Sequence, residues 1–176
     1  MGNEQARTIE VLQLAVQMEA DGKKFYQKAS KKSSNKLAKE LFRQLANEED
    51  VHRKKFEEIY KALKRGQNWP DVEPPSEKGE KIKSLFAEAT KALGSNFKVA
   101  ESEFEAIKIA MDMEVRSYNL YYSRSKESTL PVEKRFYQTL AGEERGHHLA
   151  LLDSYEYLSD PAGWFTKKEH WSLDGA

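Results

Sequence analysis

Two stretches of the chain share one pattern: LANEEDVH at residues 45–52 and LAGEERGH at residues 140–147. Leu45 answers Leu140, Ala46 answers Ala141, Glu48 and Glu49 answer Glu143 and Glu144, and His52 answers His147. Each pair is 95 residues apart (147 − 52 = 95). The same offset relates MEADGKKFYQKAS, starting at Met18, to MEVRSYNLYYSRS, starting at Met113. There Glu19 meets Glu114 and Tyr26 meets Tyr121; further along, Tyr60 meets Tyr155. Leu, Ala and Glu align by chance in any helical sequence. Histidine is another matter: the chain has only four, and two of them fall in the same Glu-x-x-His context at the same offset. The second half of the chain is therefore read as an echo of the first.

Working outward, Lys, Glu, Ala, Leu and Gln dominate and alternating β-branched runs are absent, which predicts helices. Four long ones are expected, over about residues 4–32, 36–65, 99–126 and 131–158. Ser33, Ser34 and Asn35 break the first from the second, with Asn35 as a cap. Gly66 ends the second. Pro70, Pro74 and Pro75 preclude a continuous helix through the connection at 66–98, where Ser76 is expected to cap a shorter helix reaching about Leu93. Thr129 and Pro131 mark the start of the fourth long helix, and the stretch from Asp160 to Gly163 is expected to stop it. Residues 161–176 are read as an aromatic tail carrying Trp164, Phe165 and Trp171. The prediction is an all-α domain over 1–160: two short-looped hairpins joined by one long crossover, the plan of ferritin-like four-helix bundles.

Charged residues make up 33% of the chain, yet its formal net charge is zero. That balance gives no basic face for nucleic acid and no attraction to an anionic membrane. No apolar run approaches the ~20 residues that span a bilayer. The opening MGNEQARTIE has no basic segment followed by an apolar one, so the expected location is the cytoplasm. With no cysteine, thiolate metal sites and iron–sulfur clusters are excluded, and any metal must be held by oxygen and imidazole nitrogen.

Residues i and i+3 share a helix face, so Glu49 pairs with His52 and Glu144 with His147. Both pairs fill gaps in apolar stripes: Ala38, Leu41, Leu45, Phe56 and Leu63 in the second helix, Tyr137, Leu140, Leu151, Tyr155 and Leu158 in the fourth. Glu114 lies among Ile107, Met111, Tyr118 and Tyr121, and Glu19 among Leu12, Ala15, Val16 and Tyr26. Every long helix thus places an acid in its core-facing seam. Four buried, unpaired carboxylates would cost several kcal/mol each. Two divalent cations offset that: −4 against +4, with two neutral imidazoles completing the coordination. Carboxylate with imidazole suits iron or manganese. A lone Glu-x-x-His on a charged helix is ordinarily a solvated pair, but two in register, each with a seam glutamate, form the di-iron carboxylate constellation. The expected metal ligands are Glu19, Glu49, His52, Glu114, Glu144 and His147, for two iron ions or, alternatively, manganese. Tyr26 and Tyr121 are expected to hydrogen-bond those ligands. Glu48 and Glu143 share the histidines' face by spacing and are given flanking or surface roles; His148 and His170 are read as non-ligating.

The order Glu19, Glu49-x-x-His52, Glu114, Glu144-x-x-His147 resembles the rubrerythrin and ferritin-like superfamily. The resemblance implies two irons that react with peroxide or dioxygen, Glu49 and Glu144 as bridging ligands, and Glu19 and Glu114 as terminal ones. Rubrerythrins usually carry a second glutamate three residues after the third-helix ligand; here that position is Ser117, so the ligand set more resembles that of bacterioferritin. The four cysteines of a rubredoxin domain are absent, so electrons are expected from a separate donor protein. The functional expectation is a di-iron oxidoreductase acting in oxidative stress, within a homodimer or larger homo-oligomer. The alternatives are a ferroxidase for iron storage, a dimanganese catalase, and a non-catalytic helical interaction module.

Overall fold

The computed structural model describes residues 2–72, 99–164 and 166. Four long helices organise it: α1 (Gly2–Lys32), α2 (Lys36–Lys64), α3 (Glu101–Glu127) and α4 (Pro131–Ser159). Their ends follow from local chemistry. Asn35 Oδ1 accepts hydrogen bonds from the backbone N–H groups of Leu37 (2.9 Å) and Ala38 (3.2 Å), satisfying two donors that the first turn of α2 leaves free. The N–H of Asn35 itself donates to Glu103 Oε1 at 2.9 Å, which ties the α1–α2 turn to the start of α3. Gly66 leaves the helix with φ +73°, a conformation that favours glycine, and its N–H bonds back to Leu63 O. Pro131 opens α4, where its missing N–H costs nothing.

The α4 terminus differs from expectation. Asp160 does break the helix, but its side chain then accepts from the N–H of Gly163 at 3.0 Å. It thereby caps a further helical turn over 161–164. Trp164 from that turn packs edge-on against Tyr157, with ring centroids 5.4 Å apart. The expected short helix from Ser76 to Leu93, and the tail residues Phe165, His170 and Trp171, lie outside the described residues.

The helices pack closely within the α1–α2 and α3–α4 hairpins, and the hairpins meet more sparsely, α1 against α3 and α2 against α4. Cross-hairpin contacts fix the directions. Tyr26 bonds Glu114 while Tyr121 bonds Glu19, so α1 and α3 are antiparallel. Glu48 meets His147 while His52 meets Glu143, so α2 and α4 are antiparallel as well. Helices α2 and α3 consequently run the same way, as the one-crossover plan requires of two helices joined by a long connection. Its first residues are anchored: Trp69 and Val72 are buried, with the Trp69 ring 5.9 Å from Phe136 and 6.0 Å from Tyr137.

Two apolar clusters fill the bundle. One holds Tyr26, Leu41, Phe42, Leu45, Ile107, Leu151 and Tyr157; the other holds Leu12, Phe56, Ile59, Tyr121, Phe136, Tyr137 and Leu140. Leu45 and Phe56 of α2 fall in different clusters, as do Leu140 and Leu151 of α4. The Glu-x-x-His turns lie between them, so a polar layer is sandwiched by apolar ones. Tyr155, placed in the core stripe by sequence, is only half-buried and faces Phe104, whereas Tyr157 is fully buried. Among the described residues no helix is long and apolar enough to cross a membrane.

Trp69 tests the docking of the crossover. Trp69→Ala is expected to cost about 3 kcal/mol in denaturant unfolding. Trp69→Phe should keep most of that, because Trp69 Nε1 makes no hydrogen bond. Equal losses for the two variants would contradict a purely apolar anchor.

Candidate metal centre

The polar layer gathers one glutamate from α1 and α3 and a Glu-x-x-His turn from α2 and α4. Glu19, Glu49, His52, Glu114, Glu144 and His147 are each no more than 4% exposed. The two imidazoles lie nearly parallel, 12° apart, with centroids separated by 5.7 Å. His52 Nδ1 is 3.1 Å from Glu144 Oε1 and 3.5 Å from Glu19 Oε2. His147 Nδ1 is 3.3 Å from Glu114 Oε2 and 3.8 Å from both Glu49 Oε1 and Glu144 Oε2. Glu144 thus offers one oxygen toward each histidine.

A second set of residues orients the first. His52 Nε2 lies 2.7 Å from Glu143 Oε2, and His147 Nε2 lies 2.7 Å from Glu48 Oε2. An ionised carboxylate can only accept, so Nε2 carries the hydrogen and Nδ1 is turned to the cavity. Tyr26 donates to Glu114 and Tyr121 donates to Glu19, each across the bundle. Gly22, one turn after Glu19, has a steric role. A Cβ there would stand 3.0 Å from Glu49 Oε2, so a mid-helix glycine leaves room for the carboxylate.

The electrostatics are those of like charges confined together. Burial, with the neighbouring Glu19, pushes the Glu49 carboxyl well up; burial with Glu114 does the same for Glu144. Burial also opposes ionisation of Glu19 and Glu114, but it is outweighed, by Glu49 and His52 at Glu19 and by His147 at Glu114, and both end lowered. Burial disfavours charge on the histidines too; the carboxylates around them prevail, led by Glu143 at His52 and Glu114 at His147, and raise both well above the ordinary value. Tyr26 and Tyr121 are pushed well up by burial and by Glu114 and Glu19 respectively, so both remain phenols at neutral pH.

Protons thus do the neutralising in this arrangement, and the donor set fits cations in their place. Glu19 Oε2, His52 Nδ1, Glu114 Oε2, Glu144 Oε1 and His147 Nδ1 are buried without a hydrogen-bond partner. Buried polar atoms are rarely left so. Five such atoms from four helices, all belonging to one cluster, make a donor set that could hold metal. Two groupings bring their donors close enough for an ion: Glu49, Glu114, Glu144 and His147, and Glu19, Glu49 and His52, with Glu49 common to both.

A rubrerythrin family model matches residues 10–155. The chain belongs to the rubrerythrin family. No curated protein and no solved structure matches it. Rubrerythrins generally bind a pair of irons, and the buried Glu/His cluster of this rubrerythrin is a site able to hold metal.

All six residues singled out in the sequence converge on this layer, and both tyrosines bond its glutamates. Of the flanking or surface roles expected for Glu48 and Glu143, only the surface one is corrected: Glu143 is 6% exposed, the Glu48 side chain 12%, and each flanks the cluster by holding the opposite helix's histidine. Their own repetition at the 95 offset was the available signal. His148 lies outside the cluster, with Nδ1 3.4 Å from Met111 O.

Two predictions follow from this geometry. Glu49, Glu144, His52 and His147 hold protons more tightly when folded than unfolded. The stability they contribute is complete below their ordinary values of 4.5 and 6.5 and is lost as pH rises through the raised folded values. Glu19 and Glu114, lowered in the folded state, lose their contribution only at pH below 4.5 and add no slope above it. The Tm of metal-free protein should therefore fall as pH rises from about 5 to about 8; a rising Tm would contradict the assignment. Separately, Glu143→Ala or Glu48→Ala should weaken metal affinity by about 10–100-fold, read by competition with a chromogenic chelator.

Proposed function

We propose that this rubrerythrin is a di-iron oxidoreductase that reduces hydrogen peroxide, or reacts with dioxygen, using electrons from a separate donor protein. The observation that carries the reading is the set of five orphaned donor atoms in one buried layer of four glutamates and two histidines. Glu49, Glu114, Glu144 and His147 would hold one ion; Glu19, Glu49 and His52 would hold the other, joined by Glu144 through its second oxygen. When bound, two ferrous ions supply one electron each to an oxidant.

The chain's own residues supply the rest. Glu48 and Glu143 keep Nε2–H on the histidines, so that Nδ1 presents its lone pair. Tyr26 and Tyr121 hold their protons on Glu114 and Glu19, fixing the orientation of both carboxylates. The apolar clusters above and below exclude bulk water, so that these interactions act in low dielectric. Reduction of peroxide to water takes two electrons and two protons, and the sequence has no cysteine for a rubredoxin-type centre. In this reading an external donor restores the electrons.

Anaerobic protein loaded with two ferrous ions and mixed with hydrogen peroxide should be oxidised in a fast phase, with one peroxide consumed per protein. Oxidation no faster than that of free Fe(II) would overturn the proposal. Elemental analysis after expression with iron and manganese supplied together distinguishes the di-iron from the dimanganese reading.

A further inference from the structure

The near-twofold repetition of the site breaks down just outside it. On the α3/α4 face a pocket of about 310 Å³ descends to Glu114 and Glu144, which form its floor. Its walls are Val115, Tyr118 and Asn119 from α3 and Arg145 and His148 from α4. Subtracting 95 gives the corresponding residues of the α1/α2 face: Tyr118 becomes Lys23, Arg145 becomes Asp50, His148 becomes Arg53, and Leu149 becomes Lys54. These four are locked together. Asp50 is 2.8 Å from Lys23 Nζ, 2.9 Å from Arg53 and 2.9 Å from Lys54. Lys23, followed by Lys54 and Arg53, holds the Asp50 carboxyl well below the ordinary carboxylate range. Lys23 bridges α1 to α2 at the positions that correspond to Tyr118 and Arg145 of the open face.

On the open face an arginine replaces the aspartate, so the acid that latches its neighbours on the other face is missing from this position. Among the described residues Arg145 makes no ion pair, and it is exposed at the rim. We infer that the α3/α4 pocket is the entry for small neutral or anionic polar molecules of peroxide size to the metal layer, and that the Lys23–Asp50–Arg53 latch shuts the equivalent entry between α1 and α2. This rests on the metal-binding reading above. At about 310 Å³ the pocket is roomy enough for several waters or a diatomic guest. The exposed guanidinium raises the local concentration of anions at its mouth.

Cobalt(II)-loaded protein with azide as probe tests this without turnover, through the rate of the azide-dependent change in the cobalt absorption. Val115→Trp and Asn119→Trp, two independent plugs on the exposed lip, should each slow azide association severalfold with cobalt content unchanged. Arg145→Glu should also slow it, more at low salt than at high salt. Adding Asp50→Ala to either plug should restore the rate by opening the second door. Azide reaching both plugged variants at the wild-type rate would overturn the entry, and no restoration by Asp50→Ala would overturn the latch. A wild-type protein that takes up no cobalt would instead overturn the metal reading beneath both.

Discussion

Everything in this bundle is arranged around one electrostatic constraint: four carboxylates share a cavity from which water is largely excluded. Moving a carboxylate into such a medium costs several kcal/mol even after relaxation. Two remedies exist, protons or metal cations. Without metal, burial and the neighbouring carboxylates raise the Glu49 and Glu144 carboxyls, and the surrounding carboxylates raise both histidines, well above their ordinary values. With two divalent ions the same four charges are balanced and the protons leave. Metal uptake is therefore coupled to proton release by these same groups.

The surrounding structure serves that layer. Apolar clusters flank it, and the crosswise bonds from Tyr26 and Tyr121 join α1 to α3 where few other contacts do. Glu48 and Glu143 join α2 to α4 in the same way. The two hairpins are thus connected by the apolar clusters and, between them, by polar groups that also orient the site.

The helices were legible in the sequence because each break has a local cause: the Asn35 cap, the positive φ of Gly66, the ring of Pro131. The six central residues were legible because histidine is scarce and the 95-residue offset is shared. What escaped is the register between helices. Spacing shows that Glu48 shares a face with His52, but not that its partner is His147 on another helix. It shows Tyr26 above Glu19, whereas its hydroxyl serves Glu114. The role of Gly22 was likewise hidden, since only the position of the Glu49 carboxylate explains it. Gly22 and Ser117 occupy matching places 95 apart, so neither half offers a seventh carboxylate one turn beyond its first glutamate.

The crossed antiparallel pairing has one more consequence. Exchanging the two hairpins by a half-turn carries Glu19 onto Glu114, the α2 Glu-x-x-His onto that of α4, and each tyrosine and outer glutamate onto its counterpart. The donor inventory is unchanged by the operation. Two ions bound there would be chemically twins as far as these ten side chains are concerned, and any difference in how readily one gives up an electron must originate in the non-matching shell beyond them.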